Sequence, residues 1–229
     1  MKRLYLIALS ILLLALMTSC GRKYKKTPID NYIVQHTKQK NFSVILDDMD
    51  VEGTFFKTHK MKFKVTLEDE EGTPTSADSD WQEVSEDFFF LNENNLGMTL
   101  LLKKDGKVDR NASPPGYQYV NNAKYGEWRS NAGGHSFWAF YGQYMFMSHM
   151  FGMMNRPVYQ NGYNSYRSGY AGKRSYYGKT SGGKPAYGTN SAATRKLRPN
   201  FYQRKATKSG WISSRGRSGL GSRSSGRGK

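Results

Sequence analysis

Apolar and polar residues alternate strictly from Met61 to Glu68. Met61, Phe63, Val65 and Leu67 face one way, and Lys62, Lys64, Thr66 and Glu68 face the other. Period two over eight residues predicts a half-buried antiparallel strand. Phe42, Val44 and Leu46 alternate with Ser43, Ile45 and Asp47 in the same manner, and Met98 to Lys103 is also strand-like. Asp105-Gly106 after that run fits a two-residue hairpin turn, because Gly supplies the positive φ. The acidic stretch Asp69 to Asp80, with Gly72 and Pro74, reads as a loop. Trp81 to Leu91 is ambiguous: Ser85-Glu86-Asp87 can start a short helix that buries Phe88 to Leu91.

The pattern changes after residue 110. Residues 111–134 are rich in Asn, Gly, Pro and Tyr and read as an extended linker. Residues 135–154 hold no Lys, Arg, Asp or Glu and are dominated by Phe, Trp, Tyr and Met. At 100° per residue His135, Gly142 and His149 fall on one stripe, which predicts an amphipathic helix. Its apolar residues Phe137, Trp138, Phe146 and Phe151 are candidates for contact with a membrane or a partner protein. Beyond Arg156, aliphatic residues are scarce and no period appears, so composition predicts disorder. The expected class is therefore α+β. It comprises a small antiparallel β-rich module over 41–110 with a short helix, one apolar Met/aromatic helix over 135–154, and a long disordered basic tail over 155–229.

Charge divides the chain at the same place. Of 35 Lys and Arg, 17 lie in residues 156–229, which contain no Asp or Glu. Residues 1–155 hold 18 of each sign, so the whole net charge of +17 belongs to the last 74 residues. Residues 27–110 carry 17 Asp and Glu against 10 Lys and Arg, opposite in sign to the tail. This excludes a uniformly basic ribosomal or histone-like domain.

The first residues give the charge its context. Lys2 and Arg3 precede an apolar run from Leu4 to Met17, followed by Thr18-Ser19-Cys20-Gly21. This is the layout of a secretory signal over 1–19, and it resembles a bacterial lipobox in which Cys20 receives a diacylglycerol thioether. Met17 stands where Leu is commoner. A plain uncleaved signal anchor is the alternative. Cys20 is the sole Cys, so the mature chain has no internal disulfide. Gly21, where an Asp would mark inner-membrane retention, favours the outer membrane. Residues 20–40 then form a lipidated tether, in which Arg22, Lys23, Lys25 and Lys26 suit anionic headgroups. Both readings put the rest of the chain outside the cytoplasm.

Several motifs fall short of chemistry. Asp48-Met49-Asp50-Val51-Glu52-Gly53 begins like a calcium loop, but its twelfth position is His59 rather than a bidentate Glu, and the setting is a strand. A solvated strand edge is the plainer reading. Gly178 to Lys184 has phosphate-loop spacing, but Pro185 replaces the magnesium-holding hydroxyl. His135, His149 and the surrounding Met residues have the softness that Cu(I) prefers. An adaptable Met-rich packing surface explains them as well, and no cofactor is expected. No His has a nucleophile or carboxylate at catalytic spacing, so the chain is not read as an enzyme.

The basic tail interleaves Tyr with Lys and Arg, the ingredients of nucleic-acid binding. Export redirects that reading to anionic envelope polymers or lipids. The candidate polyanion contacts are Arg156, Arg167, Lys173, Arg174, Lys196, Arg198, Arg204, Lys205, Arg215 and Arg217. A solvated spacer is the alternative.

Ser136-Phe137-Trp138, Tyr144-Met145, Gly152-Met153-Met154, Pro185-Ala186-Tyr187-Gly188 and the Ser/Arg/Gly-rich end occur in an order that resembles the YgiB-like bacterial lipoproteins, a family of unknown biochemical function. Cys20 fits that pattern, while the β-rich stretch and its lack of Cys depart from it. The resemblance implies an outer-membrane lipoprotein in envelope maintenance and supplies no catalytic residue. The expected function is that of a non-enzymatic, lipid-anchored envelope protein. The alternatives are copper binding through 135–154 and docking on a partner through that segment.

Overall fold

The computed structural model describes residues 27–180, 182–208 and 211. Cys20, the signal segment, Arg215 and Arg217 lie outside them. The α+β class holds: antiparallel sheets are combined with short helices.

The strands expected from alternation form the centre. β1 (Phe42–Glu52) and β2 (Thr58–Glu68) make a long antiparallel hairpin, with Phe42 opposite Leu67 and Glu52 opposite Thr58. β3 (Pro74–Asp78) and β4 (Gln82–Val84) share the other flank of β2. The first half of β1 pairs with β5 (Thr99–Lys104), which pairs with β6 (Lys107–Asp109). The main sheet thus has six strands. Asp105 and Gly106 both adopt positive φ between β5 and β6, as the hairpin turn requires.

Asp47 is an extra residue in β1, set between the pairs Leu46–Phe63 and Asp48–Lys62. Such a bulge reverses the alternation of inward and outward positions. Before it the inward residues include Val44 and Leu46; after it they are Met49 and Val51. The reversal turns Asp48 and Asp50 away from the core. The stretch 69–80, expected to be a loop, contains β3, because pairing with Lys64 to Glu68 stabilises five of its residues as an edge strand.

Two helices brace this sheet. α1 (Pro28–Gln35) has Thr27 as N-cap in a capping box with Asp30. Tyr32 from α1 meets the Phe63 ring edge-on at 5.8 Å. Residues 28–35 are therefore part of the fold, where a tether was expected. α2 (Glu86–Leu91) starts at the Ser85 cap and buries Phe88 and Phe89, while Leu91 faces outward.

The expected helix over 135–154 is not formed. Ser136–Phe140 is strand β8, paired with β7 (Gly126–Ser130). A 3-10 turn (Gly142–Tyr144) and the short helix α3 (Phe146–Met150) follow. Trp128 and Trp138 meet edge-on at 5.2 Å across the β7–β8 pair. Cross-strand aromatic contact therefore prevails over the helical spacing.

The region expected to be a disordered tail is also ordered through most of its length. α4 (Gln160–Gly169), α5 (Ala192–Leu197) and α6 (Pro199–Thr207) lie in it. One apolar cluster runs from Ile29 to Trp211. Tyr117, Tyr163, Tyr166, Tyr176 and Tyr187 belong to it, so the part of the supposed linker 111–134 that carries Tyr117, Tyr119 and Tyr125 is internal. Tyrosine solves the problem that predicted disorder. It buries a large ring, provided that its hydroxyl finds a partner. The Tyr117 and Tyr187 hydroxyls lie 2.7 Å apart, Tyr163 donates to Val120 O at 2.9 Å, and Tyr177 donates to Asn95 Oδ1 at 2.7 Å.

Candidate functional site

The folded part of the basic segment is sorted into two sets of cations. The first set is held by β1. Past Leu46 that strand has no strand partner on its second side among the described residues, and α6 lies there instead. An unpaired sheet edge leaves backbone groups to be satisfied. Asp48 Oδ1 accepts from the Met49 N–H and Asp50 Oδ1 from the Val51 N–H, both at 2.8 Å. Arg204 Nη2 reaches the Met49 carbonyl at 3.3 Å.

The same carboxylates bind the tail. Arg198 Nη1 lies 2.9 Å from Asp47, Arg204 Nη2 lies 2.6 Å from Asp48, and Lys208 Nζ lies 2.7 Å from Asp50. The run that opens like a calcium loop is thus a row of acids that locks α5 and α6 to β1, and it is not a solvated edge. Phe201 of α6 is 1% exposed. Trp211 closes the contact, with its ring 5.2 Å from Phe89 and 5.1 Å from Phe201.

The second set is not held by acids. Arg167, Lys173, Arg174, Lys179, Lys184, Arg195 and Lys196 are exposed and make no ion pair among the described residues. Arg174 stacks on Tyr170 at 4.3 Å and Arg195 on Tyr202 at 4.4 Å. Lys173 and Arg174 also donate to the carbonyls of Ser168 and Gly169 at the C-terminus of α4, a favourable place for cations.

The expected polyanion contacts therefore separate. Arg167, Lys173, Arg174 and Lys196 are accessible. Arg198 and Arg204 are occupied by Asp47 and Asp48. Lys205 lies over the Trp211 ring at 5.4 Å. Arg156 is half-buried over the Tyr187 ring at 4.5 Å, and burial lowers its pKa.

The expected membrane or partner contacts separate as well. Trp138 and Phe151 belong to the core, Phe151 stacked on Tyr119 at 5.5 Å, and Phe137 is half-buried. Phe146 alone of the four is exposed. The structure also presents a pair that the alternation did not single out. Phe55 and Phe56, at the tip between β1 and β2, are 95% and 94% exposed. Gly53 turns the chain there with φ +84°, and a Cβ at that position would strike the Phe56 carbonyl. Two apolar residues directly after Gly-Thr in a hairpin turn were the available signal.

The copper reading loses its helical face. His135 precedes β8 and meets the Tyr159 ring at 6.2 Å, while His149 sits on α3. Met147 and Met153 are buried, and Met145 and Met154 face outward. Among the described residues no three His, Cys, Asp or Glu side chains are grouped to hold a metal, and no helix is long and apolar enough to cross a membrane.

No family model, curated protein or solved structure matches this chain, so its functional reading rests on this geometry and on the sequence.

Proposed function

We propose that the protein is a non-enzymatic, lipid-anchored bacterial envelope protein that holds anionic envelope polymers or lipids through the exposed cations of its C-terminal third. The observation that carries this reading is the sorting of charge. Asp47, Asp48 and Asp50 neutralise Arg198, Arg204 and Lys208, while seven exposed Lys and Arg have no carboxylate among the described residues. An exposed cation without an internal partner is free to meet an external anion. The export signal selects envelope polyanions over nucleic acid, and the outer membrane over the inner. Cys20 supplies the anchor, and two or more acyl chains make it a stable one. Phe55 and Phe56 offer a second, apolar contact with the same membrane.

The test is binding of the full chain to lipopolysaccharide and to anionic vesicles across a salt series. Binding should fall steeply between about 0.01 M and 1 M salt, as the screening length shrinks from about 30 to 3 Å. Replacing Arg167, Lys173, Lys184 and Lys196 by Gln should weaken binding without unfolding the chain. Binding that ignores salt and these substitutions overturns the mechanism. Palmitate incorporation, with Cys20→Ala as control, tests the anchor.

A further inference from the structure

A cleft of about 260 Å³ opens where α3 and α5 meet the bulged part of β1. Its polar wall consists of Arg156, Arg198, Lys64, His149 and Thr194, and its apolar wall of Pro115, Phe151 and Leu197. Gly97 and Ile45 also border it.

The charges in the cleft do not balance. Lys64 is paired with Asp78 at 2.7 Å, and Arg198 with Asp47 at 2.9 Å. Arg156 has no carboxylate, and none of its five guanidinium donors meets a protein acceptor among the described residues. Its Nε is buried without a partner among the described residues. The Tyr187 ring covers one face of the guanidinium but satisfies no N–H. Thr194 also borders this space. Thr194 is 2% exposed, and its hydroxyl accepts from Ser191 Oγ at 2.8 Å, which leaves its own proton to donate. Buried polar groups are nearly always paired, so the unpaired guanidinium donors lining the cleft point to an external acceptor.

We infer that this cleft binds a small amphiphilic carboxylate, with its head on the Arg156 guanidinium and the Thr194 hydroxyl and its short apolar group against Phe151, Leu197 and Pro115. The surplus of one charge favours a monoanion. A phosphate monoester carries about −1.5 to −2 at neutral pH and would be overcharged here. The planar guanidinium fork suits the two oxygens of a carboxylate. The volume is below the roughly 300–1,000 Å³ of drug-sized sites, which limits the apolar part to a short chain. Burial lowers the pKa of Arg156, as expected of a cation whose counter-ion is supplied by a ligand. This site is distinct from the exposed cations proposed to meet polymers.

The test is calorimetric titration of the full chain with acetate, hexanoate, hexanol and hexyl phosphate. Hexanoate should bind in a saturable 1:1 manner and more tightly than acetate, by about fourfold for each methylene buried. Arg156→Gln should weaken hexanoate at least tenfold while salt-dependent lipopolysaccharide binding stays unchanged, which separates this site from the surface reading. Should Arg156→Gln fail to fold, Leu197→Trp serves instead. Leu197 is 45% exposed at the rim, so the larger ring should fill the cleft, leave Arg156 in place and block hexanoate. Equal binding of hexanoate to the wild type and a folded variant overturns the inference. So does hexanol binding as well as hexanoate, hexyl phosphate binding more tightly than hexanoate, or no saturation by about 10 mM, the limit of weak specific affinity.

Discussion

Arg204 Nη2 sits 2.6 Å from Asp48 Oδ1 and so joins α6 to β1 across 156 positions of sequence. Both side chains are about a quarter exposed, so the pair is neither a solvated contact nor a fully buried one. Arg204→Ala should destabilise the chain by about 1–3 kcal/mol, because it strands Asp48 and frees the Met49 carbonyl. Urea unfolding of Arg204→Ala, Asp48→Ala and the double variant gives the coupling. A coupling near zero would show that this pair does not hold the helix, leaving the docking to Phe201, Trp211 and the Arg198 and Lys208 ion pairs.

Phe201 supplies the apolar half of that docking. Phe201→Ala should cost about 3–5 kcal/mol through the cavity that it leaves. It should also open the half-buried Arg204 and Lys205 to trypsin. Limited proteolysis followed by mass spectrometry reads this directly. Unchanged protection would mean that α6 is not part of the core.

The buried tyrosines predict alkaline unfolding. Burial, aided by the hydrogen-bonded Tyr187 hydroxyl, raises Tyr117 well above its ordinary value of 10.0, and burial, with Glu68 nearby, pushes Tyr125 up to about 12. The unfolded chain ionises first, so stability is full below pH 10 and falls as pH rises through the raised folded values. Ultraviolet titration should show these tyrosinates appearing only with unfolding. Tyr117→Phe and Tyr187→Phe should each cost about 1–2 kcal/mol, and together less than the sum, since they share one hydrogen bond.

His59 predicts acid sensitivity. It is 6% exposed between Phe89 and Phe90, and its Nε2 has no partner among the described residues. Burial lowers its pKa below the ordinary 6.5, against the pull of Glu86. The unfolded chain takes up the proton first, so the stability is present above pH 6.5 and is lost as pH falls toward the lowered folded value. His36, also lowered by burial, acts in the same direction. His59→Leu should flatten the decline in thermal midpoint below pH 6.5, and an unchanged slope would assign it elsewhere.

Phe55 and Phe56 predict a lipid contact that salt does not screen. Phe55→Ser with Phe56→Ser should leave stability within about 0.5 kcal/mol, as for exposed sites. In high salt it should weaken vesicle binding, by about 1.5–3 kcal/mol for each ring that inserts. Equal vesicle binding by wild type and variant would free the tip from this role.

Local signals were legible where neighbours in sequence are also neighbours in space. The Met61–Glu68 alternation, the Asp105-Gly106 turn and the Ser85 cap each depend on a few adjacent residues, and each appears in the fold. The bulge at Asp47 was legible in principle, because Val44 and Leu46 give way to Met49 and Val51. The reading of Asp48 to Gly53 as a solvated strand edge missed the turning of Asp48 and Asp50 toward the basic segment. The helix expected over 135–154 failed for a different reason: its aromatic spacing fits a helix, but Trp138 gains more by meeting Trp128 across a hairpin.

The sequence by itself determined the α+β class, the strands of the main hairpin, and the placing of an acidic module before a basic segment without a single acid. Only the tertiary structure decided what the basic segment does. Tyr117 and Tyr187 are 70 positions apart and Arg204 and Asp48 are 156 apart, and no local pattern announces such partners. Counting aliphatic residues made the segment look unable to fold. Its tyrosines supply the missing apolar area, and they do so only because distant carbonyls and hydroxyls accept or donate the hydrogen bonds that let those rings leave water.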